Sequence, residues 1–378
     1  MIVAAIPLQA AHPQTALPAA AEQRIDSEFA AYSGAQSPGC AVGVIRDGQL
    51  VFARGYGMAD LQHGIRITPG SIFHVASIAK QFAAYSILLL ERDGQLRLDD
   101  DIRTYLPEVP DFGHRITIRH LVHHLSGLRD QYDLLEWGGW RGGDPASGVD
   151  ILRLVSRQRA LNFVPGAEYM YTNTGYTLLG TIVHRVSGKS LREFTNGRIF
   201  TALGMTSTHF YDDHTMIVPG GTAAYNRQPG TGGGGGGRGA PPSAPSVDNF
   251  RISIPVNDYS GGTSLLATVE DMARWERNFL QPIVGDARVI EQMHQRGRLN
   301  SGDSIPHAFA LTHGEFRGMR TISYSGSEGA YRADYVRFPD QRTAFTTLCN
   351  IGSANPTQIN RRLAAVVLAD QLGPAPGR

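Results

Sequence analysis

Ser77-Ile78-Ala79-Lys80 opens a segment in which Ile78, Phe82, Tyr85 and Leu89 recur at helical spacing until Gly94 ends the run, which predicts a central, buried helix. A serine at the helix start and a lysine one turn on project from nearly the same face. The hydroxyl then has a proton acceptor beside it, and the helix N-terminus offers free N–H groups and partial positive charge for a developing oxyanion. A Ser-x-x-Lys match alone is weak, since ordinary usage produces on the order of one in a chain this long. The basic residues add weight: of 35, only Lys80 and Lys189 are lysines, and the rest are arginines. Arginine cannot be deprotonated, whereas a partly buried lysine can serve as a base. Keeping lysine at 80 in a chain that otherwise uses arginine points to Ser77 as nucleophile and Lys80 as its base.

Outward from this helix, Cys40–Ile45 and Gln49–Tyr56 read as two strands joined by Arg46-Asp47-Gly48, because Asp-Gly readily takes positive φ. Toward the other end, 321–325, 331–338 and 343–349 read as successive strands, with Pro339-Asp340-Gln341 turning between the last two. Further helices are expected over 175–188, from Thr268 with Asp271 answering its cap, and around Ile359, Leu363, Val366 and Val367. This predicts an α/β (α+β) fold: an antiparallel sheet flanked by helices, built from both chain ends, with a mainly helical region inserted and the cleft between them. The expected division is 24–75 plus 265–372 for the sheet domain and 76–264 for the helical one. The latter carries a flexible Gly/Pro-rich loop over 228–248, which lacks the Lys-Ser or Lys-Thr of a phosphate loop.

Two more constellations can carry chemistry. Tyr171-Thr172-Asn173 precedes the Gly175 helix; a phenol beside a lysine ammonium has a lowered pKa and can shuttle a proton, and Asn173 can donate to a substrate carbonyl. Tyr324-Ser325-Gly326-Ser327 ends a predicted strand, whose edge can pair with an extended substrate while the Ser327 N–H completes an oxyanion hole with that of Ser77. An ordinary capped helix entry and an ordinary strand end remain the plain alternatives.

The near-neutral balance, 35 basic against 34 acidic residues, offers no field for nucleic acid or an anionic membrane surface. No run reaches the roughly 20 apolar residues of a membrane span. No cofactor is expected, and His120, His123 and His124 lack a His-Glu-x-x-His pattern, so no metal site is expected either. Cys40 and Cys349 lie in apolar runs and read as buried free thiols, two cysteines making no framework, with a structural disulfide as the alternative. Trp137-Gly138-Gly139-Trp140 reads as a lid over an apolar substrate or as a loop anchored by two buried indoles. Residues 1–23 read as a signal remnant or a disordered tail; the first implies a periplasmic or secreted protein, the second a cytoplasmic one.

Ser-x-x-Lys, Tyr-x-Asn and a strand with a Gly-containing triplet, in that order, resemble the group of class C β-lactamases, D-aminopeptidases and family VIII esterases. The likeness runs over roughly Arg24 to Leu372 and includes Ile118–Leu128 and Gly262–Asp271. It implies that Ser77 is acylated, that Lys80 and Tyr171 share acid/base work, that Asn173 orients substrate, and that the N–H groups of Ser77 and Ser327 form the oxyanion hole. Tyr324 departs from the group, which usually has Lys or His there to bind a substrate carboxylate. The wording of Pro306–Leu311 and Tyr331–Asp334 resembles peptidase-like members, including hydrolases of linearised microcystin, and makes His307 and Arg332 candidate substrate contacts. The expected partner is a small peptide or ester; a carboxylesterase, a weak β-lactamase and a penicillin-binding sensor without turnover stay open.

Overall fold

A computed structural model describes residues 16–228 and 246–374. The strands β1 (Cys40–Arg46), β2 (Gln49–Tyr56), β3 (Thr312–Phe316), β4 (Met319–Glu328), β5 (Tyr331–Phe338) and β6 (Thr343–Cys349) form one sheet in the order β3-β4-β5-β6-β1-β2, antiparallel throughout. Asp47 (φ +53°) and Gly48 (φ +73°) make the first hairpin turn, as the Asp-Gly pair predicts. The sheet is built from both chain ends, because β6 runs antiparallel beside β1. One difference is at β4: the strand predicted over 321–325 extends from Met319 to Glu328, and its partner β3 was not read from the sequence.

Helices cover both faces. Along β1, Ala41 and Ile45 face one apolar cluster, Val42 and Val44 the other. The helices α1 (Ala19–Glu28) and α5 (Pro356–Val367) cover the Val42 face through Ile25, Ile359 and Leu363. On the Ala41 face lie α2 (Ala79–Arg92), α3 (Asn173–Ser187) and α4 (Val269–Leu280). Twelve side chains of α2 are buried, so it is apolar nearly all round and forms the interior axis of the molecule. Thr268 caps α4 by accepting from the Asp271 N–H at 3.1 Å, but the Asp271 carboxylate does not answer; it accepts instead from Ser207 N and Thr208 Oγ1.

Residues 19–23, grouped by composition with the N-terminal tail, begin α1; residues 1–15 lie outside the described residues, as do 229–245 of the Gly/Pro-rich stretch. No helix among the described residues is long and apolar enough to cross a membrane. The reading of Cys40 and Cys349 as free thiols is corrected. They are opposite one another in the β1–β6 register and form a disulfide, a pairing hidden by their separation of 309 residues. Trp137 is 70% exposed, which removes the picture of two buried indoles; Trp140 is half-buried, its indole N–H donating to the Pro145 carbonyl at 3.3 Å.

The disulfide ties the two ends of the chain and restricts the unfolded state. Reduction, or Cys349→Ala, should lower stability by about 2–4 kcal/mol in denaturant titrations; an unchanged midpoint with unchanged slope would show that the crosslink contributes nothing.

Candidate active site

The backbone turns abruptly into the site. The short strand Phe73–His74 pairs with Leu265–Ala267, and Val75 N donates to the Leu265 carbonyl. Ala76 then takes φ +49°, a left-handed conformation that costs strain for a residue with a Cβ. Ser77 follows in a 3₁₀ turn (Ala76–Ile78) just before α2 rather than in its first turn, and Lys80 sits in the first turn of α2. Tyr171 precedes Thr172, which caps α3 by accepting from Thr174 N at 3.2 Å, so Asn173 is the first residue of that helix.

These pieces converge. Ser77 Oγ is 2.8 Å from Tyr171 Oη and 3.2 Å from Lys80 Nζ. Lys80 is fully buried, and its ammonium nitrogen also donates to Asn173 Oδ1 at 2.7 Å and to the Gly262 carbonyl. All three partners are uncharged. Burial therefore pulls its pKa down to about 7, against the smaller opposing pull of Asp130 and Glu328. Tyr171 goes the other way: desolvation pushes its phenol up to about 12, although the hydrogen bond with Ser77 opposes this. The expected lowering beside a lysine ammonium is thus corrected, since the charge that would lower it is itself suppressed by burial. A neutral Lys80 can receive the Ser77 proton while still donating to Asn173 and Gly262, and a protonated Tyr171 can donate one.

Asn173 is also committed inward, with Oδ1 on Lys80 and Nδ2 donating to Asp130 Oδ2 at 3.1 Å; Asp130 further accepts from Asn173 N. Gly326 passes over the serine turn so closely that a Cβ there would stand 2.3 Å from the Val75 carbonyl and 3.0 Å from Ser77 N. Only glycine fits, and the fit sets β4 against the Ser77 backbone. Among the described residues, the outer edge of β4 from Tyr324 to Glu328 has no strand partner, because β3 pairs with it only up to Ser323. This edge and Ser77, Tyr171, Asn173 and His307 line a cavity of about 830 Å³.

The Beta-lactamase family profile matches residues 25–369. The chain belongs to the Beta-lactamase family. It is 26% identical over 334 residues to the D-aminopeptidase of Gluconobacter oxydans, covering 87% of this chain and 59% of that one. With penicillin-binding protein 4* of Bacillus subtilis it shares 27% over 307 residues, covering 80% and 66%. The chain thus spans about three fifths to two thirds of the length of these relatives. Among solved structures, the octameric penicillin-binding protein homologue from Pyrococcus abyssi superposes with TM-score 0.75 at 23% identity, covering 93% and 77%. The D-amino acid amidase of Ochrobactrum anthropi SV3, complexed with L-phenylalanine amide, gives 0.73 at 18% identity, covering 93% and all of that chain. These structures establish the β-lactamase and penicillin-binding-protein type of fold.

In this family member the remaining candidates divide. Tyr324, Gly326 and Ser327 run along the cavity edge of β4; Arg332, opposite Ser327 on β5, also lines the cavity and turns Nη1 to the carbonyls of Gly329 and Tyr331. His307 is buried in the cavity wall against His124, ring centroids 4.6 Å apart. Residue-level reading missed the Gly262 carbonyl, Asp130 and Glu328. Glu328 accepts from Tyr132 Oη at 2.7 Å, Asn257 Nδ2 at 3.1 Å and Thr263 Oγ1 at 3.3 Å. No local pattern marks them, since each reaches the site from a separate segment. His120, His123 and His124 do not gather as a ligand set: His120 Nδ1 accepts from Thr117 N, and His124 Nδ1 from Thr172 N.

A base whose pKa lies near 7 must be neutral to act, so kcat/KM should fall as pH drops below about 7. Lys80→Arg, which keeps the charge but cannot lose a proton, should reduce acylation by about 10²–10⁴-fold, as should Lys80→Met. A burst of wild-type size in Lys80→Arg would exclude Lys80 as the base.

Proposed function

We propose that this chain is a serine hydrolase of the Ser-x-x-Lys type that cleaves amide bonds of linear peptides containing D- or unusual residues through an acyl-enzyme. The observation that carries the reading is the fully buried Lys80, hydrogen-bonded to Ser77 Oγ and pulled down to about 7. Lys80 takes the serine proton as Oγ attacks the carbonyl, and the N–H groups of Ser77 and Ser327 hold the oxyanion. The proton then reaches the leaving nitrogen through Tyr171, whose hydroxyl stays protonated at neutral pH. Asn173 fixes the lysine; its carboxamide is engaged by Lys80 and Asp130.

Two features favour peptides or amides. The unpaired edge of β4 from Tyr324 to Glu328 offers backbone groups to an extended chain, as in strand addition. Relatives named D-aminopeptidase and a structural neighbour named D-amino acid amidase handle such bonds. Linearised microcystin is the finer candidate, on the wording of 306–311 and 331–334. A carboxylesterase is the second reading, because ester cleavage needs less protonation of its leaving group. The Cys40–Cys349 crosslink accords with an oxidising, periplasmic or extracellular location.

Intact-protein mass spectrometry during incubation with linear D-residue peptides, linearised microcystin, p-nitrophenyl esters and a penicillin tests this. A transient acyl adduct absent from Ser77→Ala, with released amine, is the expected result. Turnover of esters alone would replace the reading with an esterase, and a lasting penicillin adduct without turnover with a sensor.

A further inference from the structure

Another cavity, of about 650 Å³, is lined by three arginines, Arg119, Arg296 and Arg298, and by three histidines, His120, His123 and His294. Its volume is that of a small-molecule site. None of the described residues lining it is acidic, and it shares no lining residue with the cavity that holds Ser77. The chain as a whole is nearly neutral, so this concentration of guanidinium groups is local.

Two segments build it. Arg119 comes from the short helix Ile118–Val122, and Arg296 and Arg298 from a stretch in which Arg298 pairs antiparallel with Ser304. Alternation along that stretch leaves both arginines exposed and Gly297 buried between them. A Cβ on Gly297 would stand 2.9 Å from His123 Cγ, so only glycine lets the stretch lie directly on the imidazole ring. Gly297 is held there by donating to the His307 carbonyl at 2.9 Å and accepting from Ile305 N at 3.0 Å. The backbone that carries the two arginines is therefore fixed against the cavity floor.

The charges are unevenly matched. Arg119 is paired with Asp99, Nε to Oδ1 at 2.7 Å and Nη2 to Oδ2 at 3.0 Å. Arg296 and Arg298 make no ion pair among the described residues and meet backbone carbonyls only. Arg296 donates from Nε to Ile305 at 2.7 Å and from Nη2 to Ser304 at 3.5 Å, and Arg298 from Nη1 to Gly302 at 3.2 Å. The histidines add no charge at neutral pH, since burial pulls His294 down to about 4 and His123 to about 3, and lowers His120 as well. Two guanidinium groups without an acidic partner are balanced by one dianion, and each planar fork matches two oxygens of a phosphoryl group. A monocarboxylate would leave one of the two charges uncompensated.

We propose that Arg296 and Arg298, with Arg119 opposite them, form a binding site for a compact phosphoryl anion of charge two or more, separate from the catalytic cavity. The site stands whether or not the chain hydrolyses peptides. Calorimetric titration of the full chain with inorganic pyrophosphate, beside acetate as the singly charged control, tests it. Pyrophosphate should bind at about 1 mM or below in low salt and more weakly as salt is raised, and acetate should not compete. Arg298→Gln, at an exposed position, should weaken pyrophosphate about tenfold, and Arg296→Gln with Arg298→Gln should weaken it further. Arg332→Gln, which removes a guanidinium from the catalytic cavity, should leave the affinity unchanged. No binding at millimolar pyrophosphate, equal binding of acetate, an affinity unchanged in Arg298→Gln, or binding lost in Arg332→Gln would overturn the site. Sedimentation with vesicles of phosphatidic acid and phosphatidylcholine, without binding of free pyrophosphate, would assign the arginines to a lipid surface and overturn it too.

Discussion

The burial of one ammonium group organises this molecule. Lys80 lies in the first turn of a helix that is apolar nearly all round, and its nitrogen meets a hydroxyl, a carboxamide oxygen and a backbone carbonyl. None of the three compensates a full charge, so the charged form is disfavoured and the lysine can act as a base near neutral pH. Asp130 and Glu328 act on it from a distance, and their oxygens are occupied by neutral donors: Asn173 for the first, Tyr132, Asn257 and Thr263 for the second. Had either contacted Lys80 directly, the ion pair would have stabilised the ammonium and removed the base.

Such an environment must be assembled from distant pieces, and the topology does so. The Ser77 turn is hung from Leu265 by a backbone hydrogen bond, the N-terminus of α3 supplies Asn173, and the 261–264 segment supplies the Gly262 carbonyl. From the other side the sheet presses β4 onto the same turn, where Gly326 leaves no room for a Cβ. The sheet can do this because its strands come from both ends of the chain and are locked in register, with Cys40 joined to Cys349 at the β1–β6 seam. A displaced β4 would carry Gly326 away from the Ser77 turn and Glu328 away from Lys80.

Much of this was legible in the residues for reasons that are local. Asp47-Gly48 needs positive φ and so marks a hairpin, the 3.6-residue period after Ser77 marks a buried helix, and a lysine kept among arginines marks a position that the structure buries. Three motifs in order then identified the family. What stayed hidden is set by tertiary proximity. The disulfide needs the register of strands 309 residues apart. The raised Tyr171 phenol depends on desolvation, which outweighs the lysine expected to lower it. The carbonyl of Gly262 has no signature at all, since what distinguishes it is its proximity to Lys80 in space.

The most direct test of the account is the titration of Lys80 itself. The chain has two lysines, so protein labelled with ¹³C at lysine Cε shows two side-chain resonances, and Lys189→Arg removes the surface one and assigns the other. With its charge disfavoured by burial, Lys80 should give a resonance that titrates with a midpoint near pH 7. A resonance that stays that of an ammonium until strongly alkaline pH would contradict it, because Lys80 would then be charged throughout the neutral range and could not take the proton of Ser77.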